Sequence, residues 1–194
     1  MGLVAAQGHD HLVLQHPQQS GLEGQGHVAN FVQKQGAALG LADAAGRALA
    51  AAARTIHSAR DHKSVFPDAK THFRRSLHQL ADDFPPEDIE HLRHRLDHIP
   101  DTDECVHLDL HTSNIMIRDG QPLIIDMGEF SVGSFLFDLG QWCTIYGYPE
   151  LNTCEIVTQI PSDRGREFLE SLLDDYFTDR SPEDRALFEA NRHF

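Results

Sequence analysis

The stretch from residue 105 to residue 126 holds the residue types whose chemistry can be named from the sequence. His107, Asp109 and Asn114 follow a short apolar pair, and Asp126 follows a second apolar run. A carboxylate can accept the proton of an attacking hydroxyl, and carboxylate and amide oxygens are ligands that suit Mg²⁺. One acid acting as a base, with an amide and a second acid as metal ligands, is an arrangement suited to phosphoryl transfer.

The elements that must position these residues are short and extended. Cys105–Val106 is predicted to be a strand that leads into the loop. Ile115–Ile117 and Leu123–Ile125 are predicted to pair as a hairpin, because Asp119-Gly120 between apolar runs is a strong turn signal. Five residues separate these two runs, which is more than the minimal two-residue loop. The second strand would return Asp126 to the side of the loop that carries the first acid.

The spacing of these residues matches a known pattern. His107-x-Asp109-x-x-x-x-Asn114, followed by Asp126, is the spacing of the kinase catalytic loop and its metal-binding Asp. The wider text, HLDLHTSNIMI and then LIIDMGEFSVGSFLFDLG, resembles the aminoglycoside phosphotransferase/choline-kinase family, which has a protein-kinase-like fold. The resemblance is strongest over residues 105–142.

The resemblance implies a role for each matched residue. Asp109 would be the catalytic base toward a substrate hydroxyl. Asn114 and Asp126 would hold Mg²⁺ and, through it, the phosphates of ATP as the phosphoryl donor. His107 would support the loop by packing and hydrogen bonding, and Asp138 would brace it by accepting backbone hydrogen bonds.

Four further positions either match the family pattern, depart from it or have no single role assigned. Gly133 falls where the family places a glycine, whereas Leu108 replaces the glycine that commonly separates the His and Asp of the motif. His111 would contact the substrate or order the loop. Glu129 would be a second acid near the metal. The roles of His111 and Glu129 therefore stay open.

The resemblance implies an α+β fold, mainly α: a kinase-like C-lobe with a short catalytic β-hairpin, assigned to residues 41–194. Residues 1–40 are interpreted as an atypical leader, poorly ordered or non-native, since Gly, Gln and His dominate and no period is sustained. An N-lobe is absent or unrecognisable there, because no G-x-G-x-x-G turn occurs and Lys34 is the sole lysine candidate. A truncated kinase is therefore expected.

Helix-forming residues, apolar spacing and capping residues predict the helices of this lobe. They are expected over residues 41–60, from Phe66-Pro67-Asp68, from Pro86 to Ile99, over Asp138–Tyr146, over Arg164–Phe177 with Asp163 as its cap, and from Ser181 onward. Ser131–Phe137 is predicted to be a loop. Leu151–Ile160 is ambiguous, with weak β character at Ile156-Val157.

The composition limits the partners of the chain. Its 194 residues include 30 acidic and 16 basic side chains, for a formal net charge of −14. This excess argues against binding a nucleic-acid backbone, and it would suit a small-molecule substrate that is cationic. No apolar run reaches membrane-spanning length, so no membrane partner is expected. Three cysteines without metal-ligand spacing indicate reduced thiols in a cytoplasm.

Three functions stay open. The favoured one is an ATP-dependent phosphotransferase, a small-molecule kinase that acts on a substrate hydroxyl. The first alternative is a catalytically inactive kinase-like fragment or binding module, because the N-lobe elements are not found. The second is a metal-dependent hydrolase that uses His107, Asp109 and His111, whose alternation would place them on one face of a strand. That interpretation leaves Asn114, Gly133 and Asp138 unexplained.

Overall fold

The computed structural model describes residues 39–61, 65–118 and 121–192. These residues form seven α-helices and four short strands, in the order α1 (Leu39–Ser58), α2 (Ala69–Gln79), α3 (Pro86–His98), β1 (Cys105–Val106), β2 (Ile115–Arg118), β3 (Gln121–Ile124), β4 (Ser131–Val132), α4 (Leu136–Tyr146), α5 (Thr153–Thr158), α6 (Gly165–Phe177) and α7 (Pro182–Asn191). The predicted α+β, mainly α architecture is confirmed. The predicted leader, with Lys34, lies outside the described residues except for its last two positions, which begin α1.

Local capping chemistry explains where several helices begin. The Asp68 side chain accepts the backbone N–H of Thr71 at 3.0 Å before α2. Pro86 occupies the first position of α3, where its missing N–H costs nothing. The Ser181 hydroxyl accepts the backbone N–H of Asp184 at 3.1 Å before α7. The three starts predicted from the sequence are confirmed.

The strands form two separate antiparallel pairs. β2 pairs with β3, and Arg118 lies opposite Gln121, so only two residues separate the paired strands. The predicted hairpin is confirmed, but its strands extend further into the connection than expected. β1 pairs with β4. The prediction of a loop over Ser131–Phe137 is wrong at its first two residues, because their partner lies far away in sequence and local patterning does not reveal it. It is also wrong at its last two residues, because α4 begins at Leu136 and not at Asp138.

The segment predicted to have weak β character is helical. α5 follows Asn152, which adopts a left-handed conformation with φ of 54°. The Thr158 hydroxyl donates to the backbone carbonyl of Cys154 at 2.6 Å, and both side chains are buried. Ile156 is instead 77% exposed. The β-branched residues of this segment indicated a strand, but the segment is a helix that buries only one face, and Ile156 lies on the other face.

The start of α6 also differs from the prediction. Asp163 lies in a 3₁₀ turn and does not cap the helix, which begins at Gly165 without a side-chain cap. A Cβ atom on Gly165 would lie 2.6 Å from the backbone oxygen of Tyr146. The helix therefore begins where two backbone segments approach too closely for any residue except glycine.

The main core lies where α1, α4 and α6 pack together. α1 and α6 run along each other and bury residues at spacings of three and four. The large buried side chains of this core include Leu49, Leu139, Trp142, Tyr146, Leu172 and Tyr176. A second cluster, made of Ala69, Leu96, Val106 and Phe137, joins α2 and α3 to β1. The strand that leads into the loop is thus packed on both sides.

Within the described ranges, no helix combines the length and apolar character needed to cross a membrane.

Candidate active site

Asp138 fixes the loop of residues 107–114 to α4. Its fully buried carboxylate accepts the backbone N–H of His107 at 2.9 Å and that of Leu108 at 2.7 Å. Burial alone would raise the pKa of Asp138, but a hydrogen bond from His57 and the two backbone N–H groups together hold it below its usual value. The carboxylate therefore stays charged, as the bracing role expected for Asp138 requires.

His57 and Tyr176 extend this brace, and sequence reasoning identified neither as a site residue. His57 Nε2 lies 2.8 Å from Asp138 Oδ2, and His57 Nδ1 lies 2.7 Å from the Tyr176 hydroxyl. A neutral imidazole protonated at Nε2 would donate to the carboxylate and accept from the hydroxyl. Burial raises the pKa of Tyr176, which keeps that hydroxyl protonated as a donor. The loop is thereby tied to α1 and α6.

The buried ring of His107 connects the loop to the end of the hairpin. Its Nδ1 accepts the backbone N–H of Asp109, and its Nε2 donates to the backbone oxygen of Ile125, both at 3.2 Å. The supporting role of His107 stays a prediction, and these are the contacts through which it would act. Both ring nitrogens make hydrogen bonds within the protein. The geometry therefore does not favour the metal-dependent hydrolase, which needs His107 as a metal ligand. No cluster of three or more His, Cys, Asp or Glu able to hold a metal occurs in the described part of the chain.

Leu108 adopts a left-handed backbone conformation, with φ of 66°. Its Cβ makes this conformation unfavourable by roughly 1–2 kcal/mol, whereas glycine adopts it freely. The position therefore has a physical reason to hold glycine in the resembling family. The leucine side chain is half-buried and packs against the second core cluster, which offsets part of the strain.

Asn114 holds Asp109 from the other end of the loop. Its Nδ2 donates to the backbone oxygen of Asp109 at 2.8 Å and to Oδ2 of the same residue at 3.1 Å. The carboxylate can only accept, so the amide nitrogen of Asn114 must face it. This orientation leaves the Asn114 amide oxygen for a metal. The Asp109 side chain is 40% exposed, so a substrate can approach it.

The hairpin brings Asp126 to the same loop. The backbone N–H of Ile125 donates to the backbone oxygen of Asn114 at 3.0 Å, so Asp126 follows directly after the contact. Asp126 is exposed and adopts a left-handed conformation with φ of 60°. The amide oxygen of Asn114 and this carboxylate are oxygen ligands of the kind Mg²⁺ takes, so the residues present fit the implied metal.

Two side chains flank Asp109, and one of them was missed in the sequence. Gln141 on α4 donates from Nε2 to Asp109 Oδ1 at 2.9 Å. Its position one turn after Asp138 is the signal that could have identified it. His111 Nε2 lies 3.6 Å from the same oxygen and 3.3 Å from Asn114 Nδ2. Burial lowers the pKa of His111, although Asp109 opposes that effect, so a neutral ring is favoured beside Asp109.

The remaining motif positions lie at the edge of this site. The Glu129 carboxylate is exposed and pairs with Nδ1 of His72 on α2 at 3.2 Å, so it bridges to a helix. A Cβ atom on Gly133 would lie 2.8 Å from the Cβ of Ala69, which explains why glycine occupies this position. Both contacts join the segment after the hairpin to α2.

Comparison with known proteins identifies the family. The model of the phosphotransferase enzyme family matches residues 16–187. No curated protein sequence matches the chain. Among solved structures, the gentamicin-APH(2")-IIa complex is 20% identical with a TM-score of 0.48, and the match covers 88% of this chain and 58% of that one. ADP-bound aminoglycoside phosphotransferase APH(2'')-Ib is 19% identical with a TM-score of 0.47, covering 88% and 59%.

A more distant structure also matches. Macrolide 2'-phosphotransferase type I is 14% identical with a TM-score of 0.41, and the match covers 75% of this chain and 57% of that one. This chain thus spans less than two thirds of the length of the solved structures named here. The family model nevertheless covers most of its residues, and the chain belongs to the phosphotransferase enzyme family.

Proposed function

We propose that this chain acts as an ATP-dependent phosphotransferase that phosphorylates a hydroxyl of a small molecule. The observation that carries the proposal is the setting of Asp109. Amide N–H groups hold both of its carboxylate oxygens, yet the side chain is 40% exposed beside an amide oxygen that can bind a metal. A positioned, accessible carboxylate is what a general base toward a substrate hydroxyl requires.

Each residue of the loop then has one task. Asp109 accepts the hydroxyl proton of the substrate as the hydroxyl oxygen attacks the terminal phosphorus of ATP. The bond from that phosphorus to the bridging oxygen breaks, and ADP leaves. Asn114 and Asp126 would hold Mg²⁺, which supplies charge neutralisation at the phosphates when bound. His107 and Asp138 keep the loop in the conformation that brings these groups together.

The surroundings support a small, cationic substrate in a reducing compartment. The net charge of −14 would attract a cation, and membership of the family supports a small-molecule acceptor. Burial raises the pKa of both Cys105 and Cys143 to about 11, so these thiols stay protonated and resist oxidation. Free thiols of this kind suit the cytoplasm, which we propose as the location.

Asp109→Asn tests the role of the base. ATP turnover is measured with a panel of aminoglycosides, choline and sugars, and Mg·ATP binding is measured by calorimetry. We expect the variant to lose about 10²–10⁴-fold in kcat, the usual contribution of a general base, while binding Mg·ATP as the wild type does. The exposed Asp163 provides a matched control, and Asp163→Asn should leave kcat unchanged.

The same measurements separate the alternatives. Full turnover in Asp109→Asn would show that another group is the base. No heat from the wild-type protein at millimolar Mg·ATP would favour the inactive kinase-like fragment or binding module. Stoichiometric zinc retained through purification would favour the metal-dependent hydrolase.

A further inference from the structure

Gln141 is bonded to the proposed base from the opposite side to Asn114. Its Nε2 lies 2.9 Å from Asp109 Oδ1, while Asn114 Nδ2 lies 3.1 Å from Asp109 Oδ2. Each carboxylate oxygen thus accepts one N–H from a neutral amide. Two donors on opposite oxygens restrict rotation of the carboxylate, which one donor alone would not do.

The other end of the Gln141 amide shows that this contact determines its orientation. Gln141 Oε1 is buried and has no hydrogen-bond partner among the described residues. An unpaired buried acceptor costs roughly 1–3 kcal/mol. Reversing the amide would place Oε1 against the Asp109 carboxylate, where two acceptors repel. The hydrogen bond from Gln141 Nε2 to Asp109 therefore fixes the orientation of the amide, even though Oε1 is left without a hydrogen-bond partner.

The backbone around Gln141 is anchored to the same loop. Three residues earlier, Asp138 accepts the two backbone N–H groups at the start of the loop. One residue later, the Trp142 indole N–H donates to the backbone oxygen of Leu110 at 2.7 Å. Hydrogen bonds from residues before and after Gln141 thus attach its helical turn to the loop. These contacts fix the distance between Gln141 and Asp109.

We propose that Gln141 is a positioning residue that holds the carboxylate of Asp109 at the angle needed to receive the substrate proton. This inference rests on the proposed function of Asp109. A neutral amide suits the task, because it fixes one oxygen without adding the positive charge that would make the carboxylate a weaker base. A misplacement of about 1 Å in a reacting group can cost about 100-fold in rate.

Two substitutions test the proposal by steady-state kinetics. Gln141→Leu removes the donor, and Gln141→Glu keeps the length and shape of the side chain but replaces the donor with a like charge. We expect kcat to fall about 10–100-fold in both, with KM for ATP and for the acceptor changed less than about threefold. Thr144→Ala, at an exposed position one turn further along α4, should leave kcat unchanged.

The two variants distinguish positioning from packing. A merely structural role would be preserved in the isosteric Gln141→Glu, so wild-type kcat in this variant would overturn the proposal even if Gln141→Leu did not fold. An effect confined to KM would also overturn it. Loss of activity in Asp109→Asn together with wild-type kcat in Gln141→Leu would leave the proposed function standing and remove only this inference.

A measurement without turnover tests the contact itself. In ¹⁵N-labelled protein, the side-chain amide signal of Gln141 is identified by its disappearance in Gln141→Leu. We expect Asp109→Ala to shift this signal, while Asp163→Ala leaves it in place. An unchanged signal in Asp109→Ala would overturn the proposal whether or not the protein turns over ATP.

Discussion

Leu108 shows how one backbone angle constrains the motif. The loop has a left-handed residue between His107 and Asp109, and this chain supplies it with leucine at φ of 66°. The backbone strain at Leu108 destabilises the folded protein, whereas the packing of its side chain stabilises it. Two truncations separate them, because alanine removes the packing and keeps the strain, while glycine removes both.

We predict that Leu108→Gly is more stable than Leu108→Ala by roughly 0.5–1 kcal/mol, since relief of left-handed strain exceeds the entropy that glycine gains in the unfolded chain. Urea unfolding measures the difference. Leu173, buried within α6, is the matched control, and there Ala should be the more stable by about 1 kcal/mol. The same order at both positions would show that the strain at Leu108 is negligible.

At the scale of elements, the sequence predicted what local chemistry determines. Ser181 before Pro182 marked the start of α7, because capping and proline act within one turn. It did not reveal β4 or α5, whose structure depends on partners far along the chain. His57 and Gln141 were missed for the same reason. Helical periodicity indicates that a residue is buried, but the residue it meets depends on how α1, α4 and the loop pack together.

The link between α1 and α6 provides a test at this scale. Tyr176→Phe removes the hydroxyl that donates to His57 Nδ1 and leaves that nitrogen buried without its donor. We predict a loss of about 1–3 kcal/mol in the free energy of unfolding, measured by urea denaturation. Tyr148 is 39% exposed, so Tyr148→Phe should change stability by less than about 0.5 kcal/mol. Equal effects of the two substitutions would contradict a structural role for the buried network.

For the whole molecule, the distribution of charge matters as much as its total. Asp126 and Glu129 are exposed near the loop, and Asp109 is 40% exposed. A cationic substrate would therefore meet negative potential both from the overall charge of −14 and from these exposed acids. A neutral substrate would meet the same site geometry without the electrostatic attraction. Because salt screens charges but does not change the shape of the site, the salt dependence of binding separates the two contributions.

We predict that raising the salt concentration from about 0.05 to 0.5 M weakens binding of a cationic aminoglycoside severalfold and leaves binding of a neutral sugar nearly unchanged, because the Debye length falls from more than 10 Å to less than 5 Å. Calorimetry at saturating Mg·ADP, which does not support phosphoryl transfer to the acceptor, measures both dissociation constants. The charge-neutralising variant Glu129→Gln should reduce the salt dependence for the aminoglycoside only, since Glu129 is exposed and lies three residues after the exposed Asp126. Equal salt dependence for the charged and neutral acceptors would mean that the acidic surface does not select the substrate.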